Sequence, residues 1–164
     1  MTLGTHNPPA RGFTLVEILI VVILLAILAA LVIPQFAQAT SDSRAAALMS
    51  DLQTFRRQLQ VYKAQHGNTF PNRDLVAQLT RYSDAAGRTS ATPDPKFPYG
   101  PYLGSFPANP ISGDGTIRFN TSPGDQFVPP ATDGGWYYNA DTGEVRADLA
   151  NSHTLPSGLI INQF

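Results

Sequence analysis

Residues 11–34 read RGFTLVEILIVVILLAILAALVIP. Positions 13–33 carry nineteen apolar side chains in twenty-one, broken only by Thr14 and Glu17. As an α-helix, twenty-one residues span about 31 Å, which matches the hydrocarbon core of a bilayer at about 30 Å. The run is too long for the core of an ordinary secretory signal, roughly 7–15 residues, and it contains an acid that such a core avoids. Arg11 flanks its N-terminal end, whereas Asp42 and Arg44 beyond it cancel. The positive-inside tendency therefore keeps the N-terminus cytoplasmic and exports the rest.

Outward from this stretch the composition divides. The 164-residue chain has no glycine between residues 13 and 66, and Pro34 is the sole proline there. From Gly67 onward glycine and proline punctuate every few residues. The length suits a membrane helix plus one small domain. With no cysteine, disulfide scaffolds, thiolate metal sites and cysteine nucleophiles are excluded. A net charge of -1 with scattered basic residues leaves no clustered cationic surface for nucleic acid.

Glu17 is the residue to explain. A carboxylate inside a membrane span costs on the order of 2.5 kcal/mol or more, so it marks function unless it reaches the headgroups. If the chain is cut after Gly12, a free amine appears on Phe13, four residues from Glu17. Amine and acid can then neutralise one another, within a chain or between chains. Gly, Phe, apolar residues, then Glu five positions into the mature chain, leading a long apolar helix, resembles the N-terminus of type IV pilins and type II secretion pseudopilins. The resemblance implies cleavage between Gly12 and Phe13 by a prepilin peptidase, methylation of the Phe13 amine, and roles for Phe13, Glu17 and Pro34 in filament assembly. Pro34 matches the pattern too, since it removes one helical hydrogen bond and permits a kink where the apolar run ends.

The helical pattern continues past Pro34. Leu48, Leu52, Phe55, Leu59 and Tyr62 step by four, three, four and three, an apolar stripe on one face. Gly67 is the expected stop, with Lys63 and His66 in the last turn. Arg44, Asp51, Arg56 and Arg57 are expected on a solvated face. Residues 74–82 (DLVAQLTRY) read as a short helix, 116–120 (TIRFN) as a strand, and 135–147 as a β-hairpin in which GWYY and EVRA flank the five-residue, glycine-ended turn NADTG, with core and exposed residues alternating. Tyr99, Tyr102, Leu103 and Phe106 are expected to plug the proline-rich loop onto the core.

The expected fold is α+β: a long N-terminal helix, transmembrane in its first half, carrying a small antiparallel sheet and a Pro/Gly-rich loop. The expected segments are a leader at 1–12, the membrane and filament-core helix at 13–33, its extramembrane continuation at 34–66, and a globular domain at 67–164 ending in the hairpin. This order is most like the major, G-type pseudopilin. That resemblance implies a calcium loop, yet no late loop here aligns with one residue by residue. Asp114, Asp125, Asp133 and Asp141 each lie beside or near a glycine, which makes turn-building their expected role. No cofactor is expected, and calcium is the one ion left open.

Enzyme readings find little support. His6, His66 and His153 are isolated, and no H-E-x-x-H, G-x-S-x-G or G-x-x-x-x-G-K pattern occurs. No catalytic residue is expected. The resemblance implies a structural subunit of a type II secretion pseudopilus, assembled from the inner membrane to push cargo across the outer membrane. The implied partners are identical subunits in a helical filament, the prepilin peptidase, the inner-membrane platform and minor pseudopilins. Two alternatives stand beside it. One is a type IV pilus subunit for adhesion, motility or DNA uptake. The other is a binding module, either secreted after a cut following Ala39 or held by an uncleaved signal anchor.

Overall fold

The computed structural model describes residues 12–120, 122, 124–154, 158 and 160–163. The leader residues 1–11, Arg11 and His6 among them, lie outside the described residues. The chain divides into two compact units, Met1–Thr40 and Ser41–Phe164. Helix α1 (Leu15–Gln65) runs through both and continues past position 34. It is long and apolar enough to cross a membrane by length and composition.

Within the second unit α1 buries one stripe. Ala45, Leu48, Leu52, Phe55, Leu59, Tyr62 and His66 are all buried, and their steps of three and four keep them on one face. The helix stops as its last turn predicts. Gly67 takes φ +62°, and the Asn68 amide reaches back to the Lys63 carbonyl at 3.0 Å, the six-to-one bond of a Schellman cap. His66 stacks on Tyr62 with ring centroids 3.7 Å apart. Its Nδ1 lies 2.8 Å from the Tyr62 carbonyl and its Nε2 lies 3.1 Å from Ser83 Oγ. A carbonyl can only accept, so Nδ1 carries the proton and Nε2 receives the Ser83 hydroxyl in the neutral ring.

The remaining elements cover that stripe. They are α2 (Leu75–Thr80), β1 (Tyr82–Ser83), β2 (Thr89–Ser90), β3 (Ile117–Phe119), β4 (Trp136–Asn139) and β5 (Glu144–Ala147), with a short 3-10 turn at Ile161–Gln163. Leu75 and Leu79 of α2, Trp136 and Tyr138 of β4, and Val145 and Ala147 of β5 join the α1 stripe in one core. Phe55 sits at its centre, stacked on Phe106 at 5.0 Å and meeting Trp136 edge-on at 4.9 Å. Tyr102, Leu103 and Phe106 of the proline-rich loop pack against this core, while Tyr99 bridges to Ser83. The fold is α+β, with a long helix packed on small sheets.

Four details depart from the sequence reading. The main sheet is mixed: β4–β5 is the antiparallel hairpin, but β3 runs parallel to β4. A parallel neighbour needs a connection of about a dozen residues or more, and the chain from 120 to 135 supplies it. At its end a Cβ on Gly135 would collide with the Thr116 carbonyl, so glycine lets the strands begin side by side.

Second, β4 is buried along its whole length and does not alternate. Trp136 and Tyr138 face the core. On the other face Phe127 packs edge-on against Tyr137 at 5.0 Å, and the Arg118 guanidinium lies 5.0 Å from the same ring. Third, Arg56 is not simply solvated, because its Nη2 donates to the Val145 carbonyl at 3.2 Å. Fourth, the chain does not end on the hairpin. It returns so that Leu149 and Ile161 enter the core, with the buried Asn162 donating to the Leu149 carbonyl at 2.7 Å.

Candidate functional site

The N-terminal segment concentrates the candidate residues. Phe13 precedes α1 and is 78% exposed. Thr14 caps the helix, since its Oγ1 accepts the Glu17 amide at 3.2 Å and its carbonyl accepts the Ile18 amide at 3.3 Å. Thr14-Leu15-Val16-Glu17 thus has the spacing of a capping box, with the acid at the third helical position. There the helix dipole favours negative charge, independently of any partner. The T-x-x-E spacing at 14–17 is the local sequence signal of this cap.

Among the described residues Glu17 has no ion-pair partner. The large apolar side chains from Leu15 to Ile33 are exposed by 44% to 84%. Nothing among the described residues covers them. A helix that is apolar all round is stable only against lipid or other helices. Pro34 lies within α1. The site therefore sets an acid at the start of an uncovered apolar helix, four residues from the position where a cut after Gly12 would free an amine. It holds no nucleophile–base pair.

The late acidic residues are engaged in turns and do not converge. Asp114 accepts the Thr116 amide and hydroxyl, both at 2.8 Å, and these bonds hold its carboxyl below the usual range. Asp133 accepts the Ala150 amide at 3.0 Å and faces His153 Nε2 at 2.6 Å; the amide bond, then the ring, keeps it ionised to lower pH. Asp125 Oδ2 accepts the Ser122 amide, and Asp141 Oδ2 accepts Asn120 Nδ2, each at 2.8 Å. Among the described residues no group of three or more His, Asp or Glu is placed to hold a metal ion.

Sequence reasoning also missed an ion pair between a nearly buried acid and a half-exposed arginine. Arg118 grips Asp148 through Nε and Nη2, at 2.9 and 2.5 Å. Hydrogen bonding to Asp148, against some burial, pushes the Arg118 guanidinium pKa up. The two residues are thirty positions apart, and only the mixed sheet brings them together.

Two comparisons bear on the segment. Residues 8–33 match the model of the prokaryotic N-terminal methylation motif. The chain is also 30% identical, over 118 residues, to the type IV major pilin protein PilA of Myxococcus xanthus (strain DK1622). Both findings support a pilin-like chain. The alignment covers 72% of this chain and 46% of that relative, so the chain spans less than half the length of the curated protein it matches. No solved structure matches. Neither match is to an enzyme.

Proposed function

We propose that this chain is a structural subunit of a helical pilus-like filament. The uncovered apolar helix with one acid at its capped end carries this reading. Before assembly, residues 13–33 sit in the inner membrane with the N-terminus cytoplasmic. A prepilin peptidase cuts between Gly12 and Phe13, and the Phe13 amine is methylated. On assembly the span leaves lipid and packs against identical spans, in head-to-tail contacts that do not close. Glu17 then accepts the Phe13 ammonium of a neighbour, so the buried acid gains a partner and sets the register. Pro34 marks where the apolar run ends and the chain can bend.

The domain order supports a type II secretion pseudopilus, driven from the inner-membrane platform with minor pseudopilins and pushing cargo across the outer membrane. The relative's name favours a second reading, a type IV pilus. Imaging separates them: long extracellular fibres support the pilus, while fibres confined to the periplasm with a cargo-export defect on deletion support the pseudopilus. The primary test is N-terminal mass spectrometry of the mature chain. Methylated Phe13 is expected, and a chain starting at Thr40 sinks the proposal. Glu17→Leu should be cleaved and inserted yet fail to assemble; assembly at the parent level rules out the pairing.

A further inference from the structure

The two edges of the three-stranded sheet are treated differently. The sheet runs in the order β3-β4-β5, so β3 and β5 are its edges. The β5 edge is occupied: Arg56 donates to the Val145 carbonyl, and Arg146 Nη1 donates to the Asn162 carbonyl, both at 3.2 Å. The β3 edge is open. The Thr116 carbonyl accepts the Trp136 amide, and the Asn120 amide donates to the Tyr138 carbonyl. In a parallel ladder this phase points the peptide groups of Thr116, Arg118 and Asn120 at β4. Those of Ile117 and Phe119 point away from it, and among the described residues they meet no backbone partner.

Beside that edge lies a groove of about 440 Å³ between α2 and β3. Its floor is apolar, formed by Val76, Ile117 and Phe119, with Val76 42% exposed. Arg73 and Arg81 line it against a single acid, Asp74. Arg73 is tied to the Asn120 carbonyl at 2.9 Å. The exposed Arg81 side chain makes no hydrogen bond or ion pair among the described residues. Free amide and carbonyl groups, half-exposed apolar side chains and an unspent cation stand together on one short edge.

We propose that the open edge of β3 docks an extended acidic peptide segment of another protein, which adds as a strand beside Ile117 and Phe119. Main-chain hydrogen bonds supply affinity in such strand addition, and alternate side chains supply selectivity. One set of the guest's side chains enters the Val76–Phe119 groove, and a flanking carboxylate meets Arg81. The surplus of cation over acid selects an acidic guest. An unpaired edge is normally blunted or covered because it templates pairing. Here the strand's three-residue length limits such templating, while two peptide units stay available. The site is independent of which filament the chain builds.

The test uses the full chain in detergent micelles, with backbone amides followed by NMR. The probe is the capped peptide Glu-Val-Thr-Val-Thr-Glu. Binding with a dissociation constant of about 1 mM or tighter is expected, with the largest shifts at the Ile117 and Phe119 amides. N-methylating alternate peptide amides should weaken binding at least about tenfold on the bonding edge. Arg81→Gln, on an exposed side chain, should weaken it about fivefold and leave the Gln-for-Glu peptide unaffected. Absence of shifts at those two amides overturns the proposal, as does equal binding of every N-methylated peptide. Concentration-dependent shifts at the same amides without peptide would assign the edge to a second copy and overturn it too.

Discussion

The two ends of α1 are one continuous helix with opposite demands. From Leu15 to Ile33 every face is apolar and exposed. From Ala45 to His66 a single stripe is buried, while Arg57 and other polar residues occupy the rest. The first end has no inside of its own, so its energetics depend on what surrounds the chain. The second end has its inside supplied by α2, β4 and β5. Periodicity is what separates them: apolar residues at every position demand an external partner, and apolar residues at every third or fourth position demand one sheet.

The largest test of that contrast is a pair of matched truncations. Leu52 is fully buried, and Leu52→Ala should cost about 3 kcal/mol, within the usual span for a lost core leucine. For a domain of this size, the unfolding midpoint followed through Trp136 should fall by about 10 °C. Leu24→Ala, in the exposed end, should leave the same midpoint in micelles unchanged. A comparable fall in both would mean that the first end shares the globular core, and the contrast would break.

The contrast was legible because it rests on local patterns. The Leu48–Tyr62 stripe, the Gly67 stop, the short helix and the hairpin over residues 135–147 each follow from residues within a few positions of one another. Pairing across distance was not legible. Nothing in TIRFN distinguishes a parallel from an antiparallel neighbour, so the mixed sheet, the two-sided burial of β4 and the Arg118–Asp148 pair stayed hidden together. The candidate segment divides the same way. Thr14 and Glu17 are a local cap, readable from spacing, whereas the partner proposed for the Glu17 carboxylate lies on another chain, which no single sequence displays.

Two acids sharpen this. Asp148 is nearly buried and paired with the half-exposed Arg118, while Glu17 has no ion-pair partner among the described residues. Arg118→Ala strands the Asp148 charge and should cost about 2 kcal/mol, below the full cost of a deeply buried pair because Arg118 is open to solvent. The micelle midpoint should then drop by about 6 °C, with part of the loss recovered in the double variant with Asp148→Ala. Glu17→Gln should leave that midpoint alone. A midpoint shift for Glu17→Gln would show an intramolecular partner and remove the need for a neighbour.

A smaller effect is expected at the cap. Thr14→Ala removes the oxygen that holds the Glu17 amide and should cost the first turn about 1 kcal/mol. Hydrogen exchange at the Glu17 amide should quicken about fivefold, with amides near Leu52 unchanged. Uniform loss along α1 would mean that the two ends unfold as one unit.

The smallest effect separates the ends by pH. Asp114 and Asp133 titrate below the usual carboxylate range because amide and hydroxyl donors favour their charged forms. A carboxyl held lower in the folded than in the unfolded chain adds stability above its unfolded value, near 4, and loses it as pH falls through the folded one. The globular midpoint should therefore be flat from pH 7 to 5 and decline by a few degrees below about pH 4. Asp133→Asn should flatten part of the decline, which Asp114 would continue to carry. Helicity at Leu15–Ile33 in micelles should not follow the same curve, because Glu17 is the sole acid there and the micelle supplies the burial. A single curve for both ends would tie the apolar helix to the globular unit through the carboxylates of its turns.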